Sequence, residues 1–239
     1  MGRCDAAIRR RSAVLWDLDG TLVDSGPFHW LAWRETMAAE GHTFTRQEFE
    51  TTFGQRNDRV LRAFFGSASA PAELDRIGNE KEERYRRFVL SGELTFLPGV
   101  VTWLEALKQE GWSQAIVSSA PRLNISTVLD ALHAHDHFDA VIAAEDVKHG
   151  KPDPEVFLVA AATLGIDPQC CVVVEDALAG IEGARRAGMR SIYVGDSERD
   201  SGADLRTCSL ADLPDDAFER LVRWRNEGGI VMARASCCG

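Results

Sequence analysis

Ala13-Val14-Leu15-Trp16-Asp17-Leu18-Asp19-Gly20-Thr21-Leu22-Val23-Asp24-Ser25 is the stretch that decides the fold. Its first four residues are apolar without a break, the composition of a strand buried on both faces of a parallel sheet. The run stops at Asp17-Leu18-Asp19-Gly20-Thr21. Alternate side chains of an extended chain share a face, so Asp17 and Asp19 are expected to point together from the strand's carboxyl end. Open α/β sheets bind ligands at that edge. Two carboxylates held close repel each other and are costly to bury unless a cation lies between them. A D-x-D alone is commonly a polar loop after a strand, so its meaning depends on what answers it downstream.

Beyond the turn-rich Asp24-Ser25-Gly26-Pro27 the pattern changes from sheet to helix. The spacing predicts helices over 28–40, 45–53, 57–65 and from Pro71 to about Leu90, with no strand between them. From Pro98 onward helices and short apolar runs alternate: helices over 100–110, 123–133, 154–164 and 177–187, strands over 114–117, 141–144, 171–174 and 191–194. Such alternation means parallel βαβ units. The expected fold is α/β, a doubly wound parallel sheet formed by residues 1–26 and 96–239, with a small all-helical cap domain inserted at 27–95. Two short junctions joining one insert to one core suggest a lid that hinges.

The 239 residues are 45% hydrophobic and 27% charged, enough for a sizeable core. A net charge of −10 argues against nucleic acid as a partner and leaves phosphate substrates open, because a bound divalent metal can set the local potential. Arg9-Arg10-Arg11 reads as a solvated arm. The apolar run behind it is too short for a secretory signal, and no stretch approaches a membrane span. Residues 1–6 lack a myristoylation signal, and Ser236-Cys237-Cys238-Gly239 is no prenylation box. Cys4, Cys170, Cys171, Cys208, Cys237 and Cys238 show no C-x-x-C spacing and fit reduced thiols, which with the missing signal points to the cytoplasm. A frayed tail is expected from Glu227, and a monomer overall.

Three downstream pieces answer the aspartates. Ser118-Ser119 follows the apolar Ala115-Ile116-Val117, where a hydroxyl can bond a phosphate oxygen or simply cap the next helix. Lys151, in Gly150-Lys151-Pro152-Asp153-Pro154, can neutralise a transferring phosphoryl group from a proline-held loop, or be a surface lysine. Val172-Val173-Val174 ends in Glu175-Asp176 before the small-residue start Ala177-Leu178-Ala179-Gly180. One acid there can cap the helix; two are harder to explain that way.

Taken in order, Asp17-x-Asp19-Gly20-Thr21, Ser118, Lys151 and Glu175-Asp176 resemble the four motifs of the haloacid dehalogenase-like phosphatases, over residues 13 to 195. The resemblance implies a nucleophile, Asp17, that forms an aspartyl-phosphate, and a general acid and base, Asp19. Thr21, Ser118, Ser119 and Lys151 would hold the phosphate. Mg²⁺ would be the cofactor, held by Asp17, Asp176 and the backbone carbonyl of Asp19, with Glu175 supporting the site. That assignment is sound physically, since phosphoryl transfer needs in-line placement and neutralised charge.

The insert is similar to the caps of beta-phosphoglucomutase-like members. His29 and Trp33 follow the nucleophile at the spacing of that group, and Lys81 with Tyr85 resembles its last cap helix. Leu74, Ile77, Lys81, Tyr85 and Phe88 also fall on one narrow helical face, which places Lys81 within an apolar stripe. It is either a snorkelling lysine or a cation lowered toward an anionic or polyhydroxyl substrate. His29 and Trp33 share a face and read first as packing residues of the lid. In Gly54-Gln55-Arg56-Asn57 the arginine stands one place earlier than in the mutases, so Arg56 and Asn57 are substrate candidates with a departure in register. The expected activity is a Mg²⁺-dependent phosphatase of a small phosphorylated metabolite, a sugar or polyol phosphate, with a sugar phosphomutase as the alternative. A dehalogenase has no use for Asp19 or the Glu175-Asp176 pair. A phospho-accepting signalling module would be about half this length and lack the helical insert.

Overall fold

A computed structural model describes residues 12–66, 69–195 and 200–227, with side chains up to 222. The Arg9-Arg10-Arg11 arm, Cys4, Cys237, Cys238 and the tail past residue 227 lie outside the described residues. Among those described, Cys170, Cys171 and Cys208 form no disulfide, and no helix is long and apolar enough to cross a membrane.

Strand β1 (Ala13–Trp16) is completely buried, as its unbroken apolar run requires. It lies between β2 (Ser113–Val117) and β4 (Cys171–Glu175); β3 (Ala140–Ile142), β5 (Arg190–Val194) and β6 (Leu205–Thr207) complete a six-stranded sheet ordered β3-β2-β1-β4-β5-β6. Every pairing is parallel, with Trp16 opposite Ile116 on one side and Val174 on the other. Alternation along β1 divides two cores. Val14 and Trp16 face the layer that holds Leu104, Ile125 and Phe218; Ala13 and Leu15 face the layer that holds Val156, Phe157 and Ala184. The first layer is supplied by α5 (Val100–Glu110), α6 (Arg122–Leu132) and α9 (Ala217–Glu227), the second by α7 (Glu155–Leu164) and α8 (Leu178–Arg186). This is the doubly wound α/β fold. Its strand order reverses between β1 and β4, which opens a crevice at their carboxyl ends.

Four helices stand between β1 and β2: α1 (Gly26–Ala39), α2 (Arg46–Thr52), α3 (Asn57–Phe65) and α4 (Pro71–Ser91). A capping box fixes the start of α2, with the Thr45 hydroxyl accepting from the Glu48 amide and Glu48 accepting from the Thr45 amide. The four helices enclose a third, aromatic core of Trp33, Met37, Phe44, Phe49, Leu61, Leu74 and Ile77. On α4, Leu74, Ile77, Lys81 and Tyr85 of the stripe are buried, and Phe88 is half-buried.

Two expectations fail at the margins. The strand expected over 141–144 ends at Ile142, and Ala144–Asp146 turn into a 3₁₀ helix because the Asp146 carboxylate accepts from the Ala143 amide at 2.7 Å. Past Val194 the sequence reading has no element, yet β6 and α9 are present. Strand β6 is three residues on the sheet edge, too short to show a period, and is steadied by Asp204, which pairs with Arg190 and accepts from the Ser191 amide. Helix α9 is folded by tertiary packing: Phe218 sits among Trp16, Trp103 and Trp112, with ring centroids 4.9–6.2 Å away.

Candidate active site

Asp17 continues β1 by one residue, its amide donating to the Val174 carbonyl at 3.0 Å, so its carboxyl emerges between the ends of β2 and β4. The Lys151 ammonium reaches it at 2.5 Å and also donates to Glu175 (2.6 Å) and to the Val117 carbonyl (3.1 Å). Asp176 accepts from the Thr21 hydroxyl at 3.3 Å. Two glycines make room for these acids. Gly20 has φ +89°, and a Cβ there would lie 2.2 Å from an Asp176 oxygen; a Cβ on Gly180 would lie 1.9 Å from Glu175. The other Glu175 oxygen accepts from the Ala177 amide at 2.7 Å. One acid of the pair therefore holds the turn into α8, and Asp176 is left to face Asp17.

Two buried carboxyls, Asp17 and Glu175, and the half-buried Asp176 meet one ammonium. Burial, reinforced by the charges of Glu175 and Asp176, holds Asp17 well above the usual carboxylate range despite Lys151. Asp176 is pushed up to about 8 by burial and the adjacent Glu175 charge. Burial works against the charge on Lys151, but Asp17 and Glu175 outweigh it and its pKa is raised. Asp17, Glu175 and Asp176 each offer an oxygen, all within 4.8 Å of one another. Hard oxygen donors carrying excess negative charge fit a divalent cation such as Mg²⁺. A second trio, His149, Asp153 and Glu155, is partly exposed, and Glu155 is occupied capping the amides of Lys148 and His149.

Asp19 turns to other partners. Its Oδ1 accepts from the Ser25 hydroxyl at 2.5 Å and the Tyr85 hydroxyl at 3.4 Å, and His29 Nε2 lies 3.3 Å away. The two aspartates share no hydrogen-bond partner: Lys151 takes Asp17, while Ser25 and the cap side chains His29 and Tyr85 take Asp19. Burial raises the Asp19 pKa, but the hydrogen bond and charge of His29, the Ser25 hydroxyl and the Lys81 charge outweigh it and leave Asp19 below its ordinary value. His29 is stacked on Tyr85 with centroids 3.9 Å apart, and its Nδ1 lies 2.9 Å from the Lys81 ammonium. It is more than the packing residue the sequence suggested. Burial and the Lys81 charge lower its own pKa.

Lys81 is 2% exposed and donates to Glu82 at 3.0 Å, so the cation foreseen as a substrate contact is committed to its neighbour. Trp33 is a packing residue, as read, and lies 5.3 Å beneath that ammonium. Asn57 donates to Glu82 at 2.6 Å. Arg56 lines a small open cleft with Ser118, Ser119, Gly150 and Lys151, and is paired with Asp58 at 3.5 Å. The Ser118 hydroxyl accepts from the Ala120 amide at 3.1 Å. Thr21, foreseen as a phosphate ligand, is fully buried with its hydroxyl on Asp176. Ser25, Glu82 and Asn124 were not singled out from sequence. Glu82 beside a stripe lysine was the one visible sign.

Comparison with known proteins agrees with this geometry. The family model for haloacid dehalogenase-like hydrolases matches residues 12–188. The beta-phosphoglucomutase of Bacillus subtilis (strain 168) is 34% identical over 209 residues, covering 84% of this chain and 91% of that protein. A fructose-1-phosphate phosphatase of Escherichia coli (strain K12) is also 34% identical, over 191 residues, covering 77% and 97%. The crystal structure of beta-phosphoglucomutase from Clostridium difficile superposes with a TM-score of 0.81 at 29% identity, covering 90% of this chain and 99% of that one.

Proposed function

Because the chain belongs to the haloacid dehalogenase-like hydrolases, we propose that it is a Mg²⁺-dependent phosphatase of a small sugar or polyol phosphate, acting as a monomer through an aspartyl-phosphate on Asp17. In this reading residues 27–95 are the cap domain and 1–26 with 96–239 the core. The Asp17 carboxylate attacks phosphorus and the ester P–O bond breaks. Lys151 and Ser118 hold the phosphoryl oxygens, and Lys151 offsets the repulsion between carboxylate and phosphate. Asp19 gives its proton to the departing alkoxide. It is ionised when nothing is bound; an anionic phosphoryl group beside it raises its pKa, so it takes up that proton from solvent as the substrate binds. Water then attacks the aspartyl-phosphate and Asp19 takes a proton from it; phosphate leaves, Asp17 is freed, and Asp19 gives up to solvent the proton it holds, which returns both aspartates to their starting state. Mg²⁺, held by Asp17, Asp176 and the Asp19 carbonyl with support from Glu175, would supply positive charge to the phosphoryl oxygens.

The fate of the surplus cations carries the choice of hydrolysis over phosphomutase chemistry. A phosphomutase must hold a bisphosphate while it turns over, which needs a second anion site. Of the cations near the cleft, Lys81 is spent on Glu82, and Arg122 on Asp146 and the Val141 carbonyl. Of these three, Arg56 alone lines the cleft. Among these three that leaves the half-exposed Arg56, already paired with Asp58, as an anchor for the second phosphate, which supports water as the final acceptor. A panel of hexose, pentose and hexitol phosphates, assayed for inorganic phosphate with and without Mg²⁺, tests this. Release from at least one sugar or polyol phosphate is expected. Conversion of a sugar 1-phosphate to its 6-phosphate, stimulated by a sugar bisphosphate and with little phosphate released, would make the mutase reading correct.

A further inference from the structure

Glu82 is a carboxylate on the buried face of α4, 6% exposed, where an apolar side chain would be cheaper. Three elements supply its donors. Lys81 comes from its own helix, Asn57 from the start of α3, and Asn124 from α6 of the core. Asn124 is 1% exposed, and its amide orientation is fixed from both sides: its N–H group donates to Glu82, and its carbonyl accepts from Arg86 of α4 at 2.8 Å. Asn124 is also six residues past Ser118, in the first turn of the helix that follows the serine loop. On the cap side the same Lys81 lies 2.9 Å from His29, and His29 lies 3.3 Å from Asp19.

We propose that Asn124 and Glu82 form a latch across the cleft, a positioning pair through which the seating of the cap on the core is transmitted by Lys81 and His29 to Asp19. With the cap seated, Asn124 satisfies Glu82, Glu82 fixes the Lys81 ammonium, and Lys81 fixes the ring that orients Asp19. With the cap lifted, Glu82 loses its core donor and hydrates, its hold on Lys81 loosens, and His29, carried on the cap, parts from Asp19. The latch itself stands on the geometry, while its kinetic consequence rests on the phosphatase reading.

The test exchanges donor and acceptor. Asn124→Asp sets a carboxylate against Glu82, and Glu82→Gln turns an amide N–H toward the Asn124 amide, so each single variant breaks the latch. The double variant, Glu82→Gln with Asn124→Asp, rebuilds it in reverse. The amide introduced at position 82 would donate to the carboxylate introduced at position 124, Asn57 would still find a carbonyl, and Arg86 a carboxylate. Each single variant is expected to speed amide hydrogen exchange in the junction 92–97 by about tenfold. Each should also lower kcat on p-nitrophenyl phosphate, which does not reach the cap, by about tenfold. The double variant should return both to within about threefold of wild type. A packing role alone would shift thermal stability and leave kcat unmoved. Wild-type exchange and kcat in both singles, or a double variant no better than the worse single, overturns the latch. If one single does not fold, the other compared with the double decides. If the wild-type protein hydrolyses no phosphomonoester, the phosphatase reading fails, and the exchange measurements still decide the latch.

Discussion

Asp17 and Asp19 are two residues apart in one motif and live in opposite electrostatic settings. On the core side, Asp17 shares Lys151 with Glu175 and faces Asp176, and burial among like charges raises its pKa. On the cap side, Asp19 is met by a hydroxyl, an imidazole and, behind that, an ammonium, which together lower its pKa in spite of burial. The first setting has an excess of negative charge that a cation and a phosphoryl group can complete. The second is already balanced and suits a group that holds and passes a proton. Environment, rather than residue type, separates nucleophile from acid–base group.

Asp19→Asn breaks the comparison most severely. It should lower turnover of a sugar phosphate by roughly 10²–10⁴-fold, the usual worth of a positioned proton donor and acceptor. With p-nitrophenyl phosphate the leaving group needs no proton, so a burst of nitrophenolate equal to the enzyme concentration should precede slow turnover. Equal losses in the burst and the steady state would mean that Asp19 serves some role other than proton transfer.

Lys81→Ala comes next and sharpens the cap side. Read from the stripe alone, Lys81 is a substrate cation whose loss raises KM. In the structure it touches His29 and Glu82, so its removal should lower kcat by about tenfold even on p-nitrophenyl phosphate, and leave Glu82 buried without its cation. A pure KM effect would show that Lys81 is freed to reach the substrate.

The smallest effect tests the core side. The Asp176 pKa in the folded state, about 8, exceeds its unfolded value, so between the ordinary carboxylate range and pH 8 the native state holds the extra proton. Stability from this group is present at low pH and is lost as pH rises through about 8. A divalent cation competes for the same oxygens, so the rise in Tm caused by Mg²⁺ should be larger at about pH 8.5 than at about pH 6. A Tm increment that does not depend on pH would indicate that Asp176 is not a ligand.

What the sequence made legible follows from range. Five strands of the core announce themselves by local apolar runs, and each motif residue stands at a strand end or in the loop beyond it, so Asp17, Ser118, Lys151, Glu175 and Asp176 could be placed before any coordinates. Strand β6 and helix α9 could not, because three edge residues carry no period and Phe218 acquires its meaning only from Trp16, Trp103 and Trp112 far away in the chain. The cap-side network was partly visible. The stripe on α4 placed Lys81 among apolar residues, but its partners come from residues 29, 82 and, through Glu82, 57 and 124, and no spacing rule links those positions. Thr21 shows the same limit: the motif suggested a phosphate ligand, and its hydroxyl instead steadies Asp176.

Trapping the covalent intermediate tests the central claim most directly. Enzyme turning over a sugar phosphate would be quenched, reduced with borohydride to convert an acyl phosphate to an alcohol, and mapped by mass spectrometry. Reduction at Asp17 alone is expected, absent without substrate and absent in Asp17→Asn. Rapid phosphate release with no reducible acyl group, or with the group on another residue, would contradict the assignment of Asp17 as nucleophile.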